Sequence, residues 1–189
     1  MPADTATLDR RGFLKLSAGG ATTLALLGAG VQLSGCSQRS AAVANGYRWL
    51  TASDIHFMRA LVAGVAGNAL PADPTAAGAI VDEGVRRADI ELAALGAPAQ
   101  QEVRKLLDLL QWTPFRRFAG GVTRPWAEAG AADAQTLLKH LHDSHLSLLS
   151  GAYRALAKIG STVLWSQTPM NAFSHYPGPP AWAISALEA

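Results

Sequence analysis

The chain is poor in the residues that most cofactor and redox chemistry requires. It has one cysteine, Cys36, among 189 residues. A single thiol excludes an intramolecular disulfide, Cys-x-x-Cys-His haem attachment, thiolate ligation of an iron–sulfur cluster and paired-thiol redox chemistry within this chain. There is no Gly-x-Gly-x-x-Gly, no Walker loop, no Gly-x-Ser-x-Gly elbow and no HExxH pair. The usual signatures of dinucleotide, triphosphate, hydrolase and zinc-protease sites are therefore missing. Charge is scarce as well, at 16% of residues. Of sixteen basic residues thirteen remain beyond Arg10, Arg11 and Lys15, and of fourteen acidic residues twelve remain beyond Asp4 and Asp9. So balanced a chain offers neither a nucleic-acid surface nor a polybasic lipid patch. Runs of β-branched residues are almost absent, no segment alternates as a strand, and no internal repeat is visible. Alanine and leucine dominate, and the composition points to an all-α fold.

What the chain does contain begins near its start. Asp9-Arg10-Arg11-Gly12-Phe13-Leu14-Lys15 resembles the twin-arginine (Tat) export signal, a paired arginine followed by x-Phe-Leu-Lys. Guanidinium groups stay charged at any cellular pH and offer a receptor a fixed planar handle, which lysine does not. Asp9 stands where Ser or Thr is usual. The run from Leu16 to Leu33 is long enough to cross most of a bilayer, yet Gly19, Gly20, Gly28, Gly30, Ser17, Thr22, Thr23 and Gln32 interrupt it. It reads as a removable apolar region, the alternative being a weak membrane helix that stays uncut. Leu33-Ser34-Gly35-Cys36 resembles a lipobox, which makes Cys36 the expected site of cleavage and lipidation. Two or more acyl chains, at about 0.8 kcal/mol per buried CH₂, would hold the product stably on a membrane. Ser37 after the cysteine favours the outer membrane where one exists. The expected location is periplasmic and membrane-associated.

The layout that follows is a signal at 1–35, a short tether at 36–46, a helical domain at 47–167 and an extended Pro-rich tail at 168–189. Removing the signal leaves about 150 residues, enough for one domain with a core. Thr51 and Asp54 predict a capping box, with Leu50 stapled onto Ile55, for a helix whose face carries Ile55, Met58, Val62 and Val65. Leu70-Pro71-Ala72-Asp73-Pro74 ends it. A second helix is expected from Ala76 to Leu95, with Ile80, Val81, Val85, Ala88 and Leu92 as its stripe. A third runs from Pro98 to about Trp112, with Val103, Leu106, Leu107 and Leu110 inward. Thr113-Pro114 opens a short helical turn through Phe118, and Gly120-Gly121 closes it. From Asp133 to Trp165 a single three-four spacing (Leu137, Leu141, His145, Leu148, Ala152, Leu156, Ile159, Val163) predicts one long helix, broken or kinked at Gly151 or Gly160. The prolines after Thr168 predict an extended tail. The architecture expected is an irregular helical bundle.

The densest polar cluster is His140-x-His142-Asp143-x-His145. On one helix His142 and His145 would share a face, while His140 would pair with Asp143. His142 and His145 are candidate metal ligands, with Asp54, Asp82 or another distant residue completing the shell. Against this, His145 falls in the apolar seam, where a hydrogen-bonded core histidine is the simpler reading. Asp82-Glu83 and Asp89/Glu91 read as solvated faces balanced by Arg86 and Arg87, and Arg116-Arg117 as surface charge. Trp112, Trp126, Trp165 and Trp182 read as core or tail packing. Trp165, Tyr176, Pro177, Gly178, Pro179 and Trp182 are candidates for burial against another chain.

The chain from Tyr47-Arg48-Trp49-Leu50-Thr51 onward is similar to the gluconate 2-dehydrogenase subunit 3 family. The resemblance rests on the Leu-Thr-Ala-x-Asp opening of the first helix, Leu70-Pro71-Ala72-Asp73, Tyr153-Arg154-Ala155-Leu156 and the tail Tyr176-Pro177-Gly178-Pro179. The Tat signal is also typical of that family. Leu164-Trp165-Ser166 departs from it, lacking the paired tyrosines often found before the tail. The resemblance implies a non-catalytic small subunit, without a cofactor of its own. Its partner would be a FAD-dependent dehydrogenase of the glucose-methanol-choline type acting on a sugar or alcohol. It also implies that the small subunit carries the export signal for both chains and that a separate cytochrome c often takes the electrons. The alternative from the residues alone is a free-standing periplasmic metal-binding protein or enzyme using His142 and His145.

Overall fold

A computed structural model describes residues 42 to 175 together with Pro177 and Pro180. The expected export signal (Arg10, Arg11, Phe13, Leu14, Lys15), Cys36, most of the expected tether, and Tyr176, Gly178, Pro179 and Trp182 lie outside the described residues. Among the described residues 71% are helical, in seven α-helices with no strand. No helix among them is long and apolar enough to cross a membrane.

Helix α1 (Ala52–Ala66) is the centre of the bundle, and its start is chemically specified. The Thr51 hydroxyl accepts from the Asp54 amide at 3.3 Å, and the Asp54 carboxylate accepts from the Thr51 amide at 2.8 Å. The expected capping box is present. Its burial is broader than the expected single face, because Phe57, Leu61, Gly64 and Ala66 are buried along with Met58 and Val62. Ile55 and Val65 sit half-buried at the margins. A helix buried on most sides must be surrounded, and α2, α5 and α6 pack against it. Small residues set how closely: a Cβ on Gly64 would lie 2.9 Å from the Ala134 Cβ of α5 and 3.1 Å from the Ala131 carbonyl. The helix stops at Gly67, where φ is 55°, before the Leu70-Pro71 punctuation is reached.

Helix α2 (Pro74–Ala93) is capped by Asp73, whose carboxylate accepts from the Ala76 amide at 2.7 Å. Ile80, Val85, Ala88 and Leu92 are buried as the stripe predicts. Helix α3 (Ala97–Gln111) buries Leu107 and Leu110, and α4 (Thr113–Phe118) is the short turn expected from Thr113-Pro114. The loop after α4 returns Trp126 to the core. Its indole N–H donates to the Leu110 carbonyl at 2.9 Å, and its ring meets Phe57 edge-on at 4.8 Å.

The long helix expected from Asp133 to Trp165 is two helices, α5 (Ala131–His142) and α6 (Ser147–Trp165), which pack on each other. The break falls at residues 143–146, and neither Gly151 nor Gly160 causes it; both lie inside α6. The Ser144 hydroxyl accepts from the Leu146 amide at 3.2 Å, a local side-chain bond that competes with helical pairing. His145 and Leu148 are therefore exposed and leave the apolar seam. The tail also differs from expectation over its first part, because Thr168–Ser174 forms helix α7. Pro169 sits in its first turn, where no amide is needed. Met170 is 1% exposed, so the domain runs past the expected boundary at 167 and ends on His175, with φ 53°.

Candidate functional site

Three sites result from this packing. The first is a groove of about 600 Å³ where α1, α5 and α6 meet, lined by Val65, Gln135, Leu138, Lys139, His142, Asp143, Tyr153, Ala157 and Ser161. His142 Nδ1 lies 3.0 Å from Asp143 Oδ1, and its ring meets Tyr153 edge-on at 4.9 Å. Lys139 donates to Asp143 Oδ2 at 2.7 Å. The Lys139 ammonium first, and His142 second, hold the Asp143 carboxyl down at about 2. The same contact raises Lys139. Asp143 thus pairs with His142 and Lys139, and the expected His140–Asp143 pair is not formed.

His145 does not line this groove; it stands exposed on the turn between α5 and α6. The two aspartates expected to complete a metal shell are engaged elsewhere. Asp82 pairs with Arg59 at 2.8 Å, and Asp54 is fully buried in the cap. Among the described residues no group of three or more His, Cys, Asp or Glu side chains is placed to hold a metal ion.

The second site is a pair of buried carboxylates that fasten the segment leading into α1. Asp54 accepts from the Thr51 amide and hydroxyl, from Arg104 at 2.8 Å and from Gln111 at 2.7 Å, so α3 is tied to the start of α1. Asp89, expected on a solvated face, is only 3% exposed. It accepts from the amides of Arg48, Trp49 and Leu50 at 2.7, 2.9 and 2.8 Å. The Arg104 guanidinium lies 4.3 Å above the Trp49 ring, closing the same cluster. These contacts saturate both carboxylates, which makes their work structural. Glu83, by contrast, is the expected surface group, lowered by its contacts with Arg87 and Arg86.

The third is an apolar and basic surface. Trp165 (39% exposed) stacks on Phe173 (50% exposed), with ring centroids 6.0 Å apart, where α6 passes into α7. On α4, Trp112 and Phe118 are 57% and 88% exposed, so Trp112 is not the packing residue expected. Arg116, expected on the surface, is 7% exposed, and its Nε has no hydrogen-bond partner among the described residues. The candidate partner-binding residues Trp165 and Pro177 are exposed. Phe118, Trp112 and Phe173 are additions that periodicity did not single out. Their only signal in the sequence is aromatic residues crowded around short, proline-initiated helices.

No family model matches the chain, and neither a curated protein nor a solved structure matches it.

Proposed function

We propose that this chain is a non-catalytic small subunit that binds, stabilises and escorts a FAD-dependent dehydrogenase of the glucose-methanol-choline type through the Tat pathway. A lipid on Cys36 would then tether the pair to the membrane. The observation that carries this reading is the Arg10-Arg11-Gly12-Phe13-Leu14-Lys15 signal in front of a small helical domain. Tat moves folded proteins, which matters most when a cofactor is inserted before export. The resemblance of the chain beyond Tyr47 to the subunit 3 family points the same way. The stacked Trp165–Phe173 pair supplies exposed aromatic area of the kind that anchors protein interfaces.

The test is recovery of the chain from its native host by a tag after Ala189, with mass spectrometry and a flavin absorbance scan. The expected result is a stoichiometric partner of dehydrogenase size with a yellow flavin spectrum. A colourless, solitary protein recovered in mild detergent overturns the reading.

A further inference from the structure

We propose that α4 and the loop after it form a second docking surface, distinct from Trp165–Phe173, which takes an acidic protein surface. Trp112 precedes this six-residue helix as its N-cap and Phe118 closes it, both exposed, with Thr113 and Pro114 exposed between them. At about 1.5 Å per residue their backbone positions lie about 9 Å apart along the helix axis. Phe115, three residues from each, packs against the core and fixes the helix beneath them.

Charge decides the occupant. Arg117 and Arg124 are exposed and form no ion pair with any described residue. The Val122 amide donates to the Arg116 carbonyl at 2.9 Å, which keeps the Arg124 loop against α4. Arg116 lies beneath them, buried, and its Nε has no hydrogen-bond partner among the described residues. Glu83 pairs with Arg86 and Arg87 and Glu102 with Lys105, whereas Arg117 and Arg124, like Arg154 and Lys158 on α6, have no acidic partner among the described residues. Two exposed, unpaired guanidinium groups beside two exposed aromatics match a partner with carboxylates around an apolar patch. A bilayer is met by a longer apolar face than one short helix presents.

The partner assigned to this surface rests on the function proposed above. The test compares the tagged full-length chain with two variants in the native host, W112A/F118S and R117E/R124E. The readouts are flavin absorbance and large-subunit recovery per tagged chain, at low and high salt. The aromatic variant is expected to lose recovery at least about tenfold. The charge-reversed variant should lose more at low salt than at high salt. Arg117 and Arg124 are exposed, so the charge-reversed variant decides the matter if the aromatic one fails to fold. Undiminished recovery by both variants overturns the α4 surface and leaves the escort reading standing. Absence of a flavoprotein with the unaltered chain overturns both. Variants that keep the flavoprotein but lose binding to phosphatidylglycerol vesicles assign the patch to lipid and overturn the proposal.

Discussion

Replacing Asp89 tests the central structural argument, because three backbone amides depend on one carboxylate. Oδ1 takes the amides of Trp49 and Leu50, and Oδ2 takes that of Arg48. Hydrogen bonds to a charged group contribute about 1.5–3 kcal/mol each, but they are not additive within one cluster. In Asp89→Ala the buried Leu50 amide loses its acceptor outright, and the two half-buried amides turn to water. A loss of about 3–5 kcal/mol follows, a large share of the 5–15 kcal/mol typical of a domain. Asp89→Asn keeps Oδ1 but sets an NH₂ against the Arg48 amide, so it should cost about 1–3 kcal/mol. Glu91→Ala, exposed on the same helix, should stay within about 0.5 kcal/mol of the parent. Urea unfolding followed by circular dichroism gives the three values, and hydrogen exchange should show the Arg48, Trp49 and Leu50 amides losing protection first. An Asp89→Ala variant within about 1 kcal/mol of the parent would refute the reasoning.

Other outcomes follow from the same geometry. Gly64→Ala should destabilise by about 1–2 kcal/mol, because overpacking against Ala134 and the Ala131 carbonyl outweighs the gain in helix propensity. Gly78→Ala, with nothing within 4 Å, should instead stabilise by about 0.5–1 kcal/mol, and thermal melts compare the two. The Asp143 carboxyl should titrate near 2 by NMR and move back toward 3.8 in Lys139→Met. Because its folded value lies below the unfolded one, its contribution is present above pH 3.8 and fades as pH falls toward 2. Deleting 176–189 should leave the domain folded while weakening partner recovery. Deleting from Thr168 also removes buried Met170 and should lower the melting temperature.

The parts of this fold legible in the sequence are those written in local chemistry. Thr51 and Asp54 stand three residues apart, so a capping box is visible without tertiary context, and the α2 stripe is a property of one helix alone. The turn at Asp143–Leu146 was not legible because three-four spacing measures a face and says nothing of continuity. Two helices folded back on one another can each carry a seam in phase, and the Ser144 hydroxyl that breaks them resembles any exposed serine. Asp89 was missed for a different reason. A charged residue on an amphipathic helix looks solvated until its partners, some forty residues earlier, are brought beside it. His145 and Arg116 exchanged places relative to expectation, the histidine moving to the surface and the arginine inward, because both assignments depended on where a helix ends or packs. The export signal and Cys36 are legible only as motifs, since they lie outside the described residues.

The fastening of residues 48–50 to Asp89 also has a mechanical meaning. Tension drawn along the N-terminal segment reaches Arg48, Trp49 and Leu50 before it reaches the first turn of α1. Asp89 diverts that tension into the C-terminal part of α2, and Arg104 with Asp54 diverts the remainder into α3. Three helices share the pull in place of one unwinding from its end. A domain pulled from its N-terminal side would yield at these carboxylates before its core gave way.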